Sequence, residues 1–164
     1  MTRLAPLIVE HALAAAGLDD DFFLLWPQSV LAALAVDELD LAERLLAPVT
    51  DALPGKRPPV VAAQWHRLRG LLAAARGDDP DLAETEMRAG IDALAAFGAA
   101  GSHAQAQEEL GRWLATQGRA EEAVPLLDAA RTTYAEIGAG GWLAGLETWA
   151  GSRQQAGTSS ATPF

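Results

Sequence analysis

Two glycine pairs constrain this chain more than any other feature. Gly70 and Gly77 are seven residues apart, Gly111 and Gly118 are seven apart, and the pairs are separated by 41 residues. Each pair sits in a common frame. The clearest copy reads Leu110, Gly111, Leu114, Gly118, Ala123, Leu127, Ala130. The second reads Gly70, Ala73, Gly77, Ala83, Met87, Gly90, with one extra residue in its turn. A fainter third copy lies upstream in Trp26, Ala33, Ala42, Leu46 and Val49. Such a period marks stacked helical hairpins, each unable to bury its apolar face alone, rather than a globule built round one cleft.

Composition agrees. Half of the 164 residues are apolar, only 6% are aromatic, and alanine is abundant. Alanine has the best helix propensity and little bulk, which suits close helix packing. No run alternates valine, isoleucine or threonine as a strand would. The fold class predicted is all-α: an α-solenoid of helical hairpins with a C-terminal capping helix.

The formal charge is -10. Phosphate binding needs concentrated Lys and Arg. The basic groups here are only Lys56-Arg57 and His66, Arg67, Arg69, so nucleic acid is disfavoured as a ligand. Cysteine is absent, which excludes disulfides and a thiol nucleophile and fits a reducing cytoplasm. No signal peptide is visible, and no apolar run approaches the ~20 residues of a membrane span. Eleven arginines against one lysine, with much Ala and Gly, suggest a GC-rich bacterial genome.

Punctuation along the chain divides it into helices. A leading helix is predicted over 4–16, stopped by Gly17, with Asp19-Asp20-Asp21 capping the next. Helices follow over 22–36, with Pro27 near its start, and over 39–53, where Pro48 should bend or divide it. Pro54-Gly55-Lys56-Arg57-Pro58-Pro59 is the strongest breaker. The helix over 60–76 carries Val61, Trp65, Leu68 and Leu72 as one buried stripe. Asp79 and Pro80 open the next, which stops at Gly98. Ser102 with Gln105 suggests a capping box for the following helix, ending at Gly118. The helix over 120–137 has the stripe Ala123, Leu127, Ala130, Tyr134, Ile137. A final helix over 142–150, with Trp142, Leu146 and Trp149 on one face, reads as a cap. The domain organisation predicted is 1–20 leading helix, 21–151 repeat domain with its cap, and 152–164 disordered tail.

This anatomy resembles the tetratricopeptide repeat, in which small residues sit where two helices cross and a Gly allows the tight turn. Gly111, Gly118 and Ala123 stand at those places in one copy, and Gly70, Gly77 and Ala83 in the other. The spacing of 41 exceeds that family's usual 34, and its closing proline is missing. The segments from His66 to Asp78 and from Glu109 to Arg119 are similar to the C-terminal helical repeats of large bacterial signalling ATPases. These include ATPase-linked adenylate/guanylate cyclases and LuxR-type, MalT-like regulators. Gly141-Trp142-Leu143 also resembles the end of such chains. The resemblance spans roughly Trp26 to Trp149 and implies a module for protein interaction, sensing or scaffolding in signalling. In that family the catalytic modules lie N-terminal to the repeats.

No enzyme chemistry is legible. Gly55-Lys56 is followed by Arg57 and lacks the glycine-rich loop and Ser/Thr of a P-loop. His11, His66 and His103 share no ligand spacing, so no metal or other cofactor is expected. Gly101-Ser102-His103 is not a nucleophile elbow. Glu108-Glu109 and Glu121-Glu122 are adjacent helical pairs that point about 100° apart, so neither converges on a substrate.

The functional surface expected instead is the inner groove, lined in such repeats by the first helix of each hairpin. Alignment on Gly70 and Gly111 places Gln64, Arg67 and Leu71 there from one repeat, and Gln105, Glu108, Arg112 and Thr116 from the next. Arg67 and Arg112 are suited to grip an acidic group or C-terminal carboxylate of a peptide partner through paired hydrogen bonds. The alternative function is structural self-association. Leu4, Leu7, Ile8 and Leu13 crowd one short helix, which predicts a weak homodimer through the N-terminal end. An enzyme is a distant third.

Overall fold

The computed structural model describes residues 20–51, 58–77 and 79–159. The leading helix, with its dimer residues Leu4, Leu7, Ile8 and Leu13, lies outside the described residues, as does most of the Pro54–Pro59 breaker. The described residues are all-α, in seven helices with no strand. These are α1 (Asp20–Ala35), α2 (Leu39–Thr50), α3 (Pro59–Arg76), α4 (Pro80–Phe97), α5 (Ala100–Thr116), α6 (Ala120–Glu136) and α7 (Gly140–Ser159). Helices consecutive in sequence pack together within two compact units, which divide between Ala99 and Ala100. None of the helices is long and apolar enough to cross a membrane.

The turns share one device. Asp37, Gly77, Gly98, Gly118 and Gly138 all have φ between 61° and 79°, at intervals of 40, 21, 20 and 20 residues. After four of them the next amide donates back to a carbonyl five residues earlier: Glu38 to Ala33, Ala99 to Leu94, Arg119 to Leu114, Ala139 to Tyr134. That bond satisfies a carbonyl orphaned at the helix end. At Asp37 the left-handed backbone is carried by a residue with a Cβ, which is why glycine counting alone overlooks this turn.

In the first unit, α1, α2 and α3 close over one apolar cluster. Trp26, Val30 and Ala33 meet Ala42, Leu45, Leu46 and Val49, and the predicted stripe Val61, Trp65, Leu68, Leu72 completes it. The Trp26 indole N–H donates to the Leu45 carbonyl at 2.7 Å, so its burial leaves no orphaned donor. Pro48 does not divide α2; it falls near the C-terminal end and the helix runs through it to Thr50. Pro27 is inside α1 because that helix begins at Asp20.

Helices α3 and α4 form an antiparallel hairpin. Asp79 caps α4 by accepting from the Leu82 amide at 2.9 Å, with Pro80 next. A Cβ added to Gly70 would lie 2.7 Å from the Met87 nitrogen and 3.0 Å from the Ala83 carbonyl oxygen. One added to Gly90 would lie 2.8 Å from the Arg67 nitrogen. The glycines are there because the two backbones touch.

In the second unit, α5 and α6 repeat the hairpin. A Cβ on Gly111 would meet Leu127 Cγ at 2.8 Å and the Ala123 carbonyl at 3.3 Å. Gly70 and Gly111 therefore hold equivalent positions, with partners offset by the one extra residue of the first turn. Tyr134, Leu146, Ala104 and Ala130 are buried together, with Leu127, Leu143 and Trp149 packed on them.

Three details differ from the sequence prediction. Ser102 is no N-cap, because α5 already begins at Ala100, straight after the Gly98 turn. Ile137 ends the α6 stripe exposed, since it occupies the cap and not the last helical turn. The last helix starts at Gly140 and continues to Ser159, past the expected start of the tail at 152. No proline interrupts it before Ser159, and Arg153 anchors it: the guanidinium donates to the Ala115 carbonyl at 3.0 Å and sits 5.6 Å over the Trp149 ring.

Candidate functional site

The residues expected to line a groove occupy two units, and each set is placed by its own hairpin. In α3, Gln64 and Arg67 are buried, Arg67 at 3% exposure. Arg67 Nη1 donates to Gln64 Oε1 at 3.0 Å. Leu71 is half-buried against the apolar cluster. Arg67 does not offer its guanidinium to solvent, contrary to the sequence expectation. The cause is Gly90, whose missing side chain lets the Arg67 backbone and Cβ come to within 3.0 Å of the Cβ position there.

In α5, Glu108 accepts from the Tyr134 hydroxyl at 2.6 Å and pairs with Arg112 one turn on. Arg112 lies 5.1 Å over the Trp149 ring and donates to the Gly145 carbonyl at 3.3 Å. The pair thus ties α5 to α6 and α7. Gln105 is half-buried, while Thr116 is exposed with its hydroxyl donating to the Trp113 carbonyl at 2.6 Å. Arg112 is thus engaged within its own unit, with its side chain about a third exposed.

A concave feature of the first unit lies elsewhere among the described residues. A cavity of about 440 Å³ opens between α2, the C-terminal half of α3 and the start of α4. Trp65, Arg69, Leu72, Ala73 and Arg76 line it from α3. At about 100° per residue these share one face of the helix, roughly half a turn from Gln64, Arg67 and Leu71. Leu46 and Ala47 of α2 and Leu82 of α4 supply the rest of its apolar wall.

Most polar groups at the cavity are engaged by neighbours. The Trp65 indole N–H donates to Thr50 Oγ1 at 2.9 Å, and Thr50 donates to the Leu46 carbonyl at 3.1 Å. Arg69 stacks 4.9 Å over the Trp65 ring and pairs with Glu86 at 3.3 Å. Glu86 is buried at the α3–α4 interface, where its other oxygen lies 2.6 Å from His66 Nδ1. Arg76 bridges to Glu43 at 2.7 Å and Asp40 at 3.7 Å. Its hydrogen bond, and then its charge, hold the Glu43 carboxyl below the ordinary value of 4.5. Asp51 and Asp79 complete the rim.

Sequence reasoning missed these residues, although a signal existed. Arg69 and Arg76 recur in step with Trp65 and Leu72, placing two cations along an otherwise apolar stripe. Among the described residues, no group of three or more His, Asp or Glu side chains is placed to hold a metal ion. No protein-family model matches the chain, and no curated protein matches it.

Proposed function

We propose that this chain is a non-catalytic interaction module whose docking site is the α2–α3–α4 cavity. The observation that carries this is the cavity itself. At about 440 Å³ it falls in the size range of ligand sites. It joins an aromatic and aliphatic wall to a few convergent polar groups, and Trp65, Arg69, Arg76 and Asp79 are pre-positioned there by the contacts described above. A peptide segment of a protein partner is the ligand such a site between helices suits. The resemblance to helical repeats of bacterial signalling ATPases supports a sensing or scaffolding role in a cytoplasmic signalling assembly.

The test is to pan a random-peptide display library on the immobilised chain. Enriched peptides should bind the wild type and fail on Ala73→Leu, which fills the cavity from a half-buried helical position. Unchanged melting of the variant would show that the fold is intact. No enrichment, or binding indifferent to Ala73→Leu, would overturn the proposal.

A further inference from the structure

We infer that the α2–α3–α4 cavity takes a peptide segment carrying an apolar side chain beside a lysine or arginine; this deepens, and rests on, the interaction function proposed above. The sign of the charge follows from how the rim is already paired. Both rim cations have carboxylate partners: Arg76 with Glu43 and Asp40, Arg69 with Glu86. Neither offers an anionic ligand a guanidinium free of competition. The rim carboxylates Asp51 and Asp79 share the cavity with these two arginines but form no ion pair among the described residues. Asp79 accepts from the Leu82 amide as the N-cap of α4, where the positive end of the helix dipole offsets part of its potential, so Asp51 is the stronger of the two. Asp51 follows the last residue of α2, where the negative end of the helix dipole adds to its potential. The wall behind them, Leu46, Leu72 and Trp65, is the apolar half of the site. The net charge of -10 further draws a basic partner and repels an acidic one. This reverses the acidic partner expected from Arg67 and Arg112, both of which are engaged within their own units.

The experiment is calorimetry with two synthetic peptides, one of leucines and lysines and one with glutamate in place of each lysine. The leucine–lysine peptide should bind and the glutamate peptide should not. Asp51→Asn with Asp79→Asn should weaken binding roughly tenfold, the scale of two exposed ion pairs. Asn still caps a helix, so α4 keeps its start. The charge-matched control, Glu121→Gln with Glu136→Gln on the exposed surface of α6, should change affinity less than about twofold. Equal losses in both pairs would mean diffuse attraction to an acidic chain and would overturn the inference. No binding, or preference for the glutamate peptide, would overturn it too. Library peptides that are acidic or neutral, yet lost on Ala73→Leu, would sink this inference while leaving the interaction function standing. A library with no enrichment would sink the interaction function itself.

Discussion

The α3–α4 and α5–α6 hairpins are two versions of one design, and they solve the same crossing differently. Both place a glycine on the first helix and end that helix in a left-handed glycine seven residues later. In α3–α4 a second glycine, Gly90, stands where α6 has Ala130. With no Cβ on either side, backbone meets backbone, and the nearest atoms to a Gly70 Cβ include the Met87 nitrogen and Ala83 oxygen. In α5–α6 the nearest atoms belong to the Leu127 side chain. The charged residues diverge accordingly. Arg67 and Glu86 are drawn into the α3–α4 hairpin itself, whereas Glu108 and Arg112 reach past their crossing to Tyr134, Gly145 and Trp149. A shared period sets the register of a hairpin; the size of the residue at the crossing sets how closely its helices approach and what they can enclose.

The sharpest way to break this comparison is to add one methyl group to each crossing. Gly70→Ala should destabilise by about 3 kcal/mol, because backbone atoms cannot rotate out of the way. Gly111→Ala should cost less, about 1 kcal/mol, since the closest atoms belong to the Leu127 side chain and alanine favours the helix. Denaturant titration of the two variants checks this, and equal losses would erase the distinction. Ala123→Leu, at a position 1% exposed against Gly111, falls between them at about 2 kcal/mol. An unchanged melting temperature there would refute the register assigned to α6.

Smaller effects test the surfaces. Glu43 is held below its ordinary value by Arg76, so its contribution is full above the usual carboxylate range and fades as pH falls through the lowered folded value. Glu43→Gln should therefore melt below the wild type near neutral pH, with the gap closing in acid. A gap that widens on acidification would contradict the Arg76 pairing. Asp37→Gly should be the mildest change, within about 0.5 kcal/mol, because relief of the left-handed strain is offset by glycine's greater chain entropy. A large loss would mean that the Asp37 side chain, and not only its backbone, builds that turn.

Much of this fold was legible in the sequence. Helix positions, the Asp79–Pro80 start, the stripe Val61–Trp65–Leu68–Leu72 and the equivalence of Gly70 and Gly111 all follow from local propensity and period. These are properties of neighbouring residues on one helix, so the sequence carries them directly. The end of α7 did not follow from local composition, and neither did the contact of Arg153 with the Ala115 carbonyl 38 residues away. The burial of Arg67 and the contacts of Arg112 with Gly145 and Trp149 did not follow either. Periodicity places a side chain on a helix face, but what that face meets depends on how closely the next helix approaches. Gly90 brings α4 against Arg67 in the first unit, and Trp149 meets Arg112 in the second. Only the tertiary structure brings such partners together, because burial and charge pairing are set by distance in space and not along the chain.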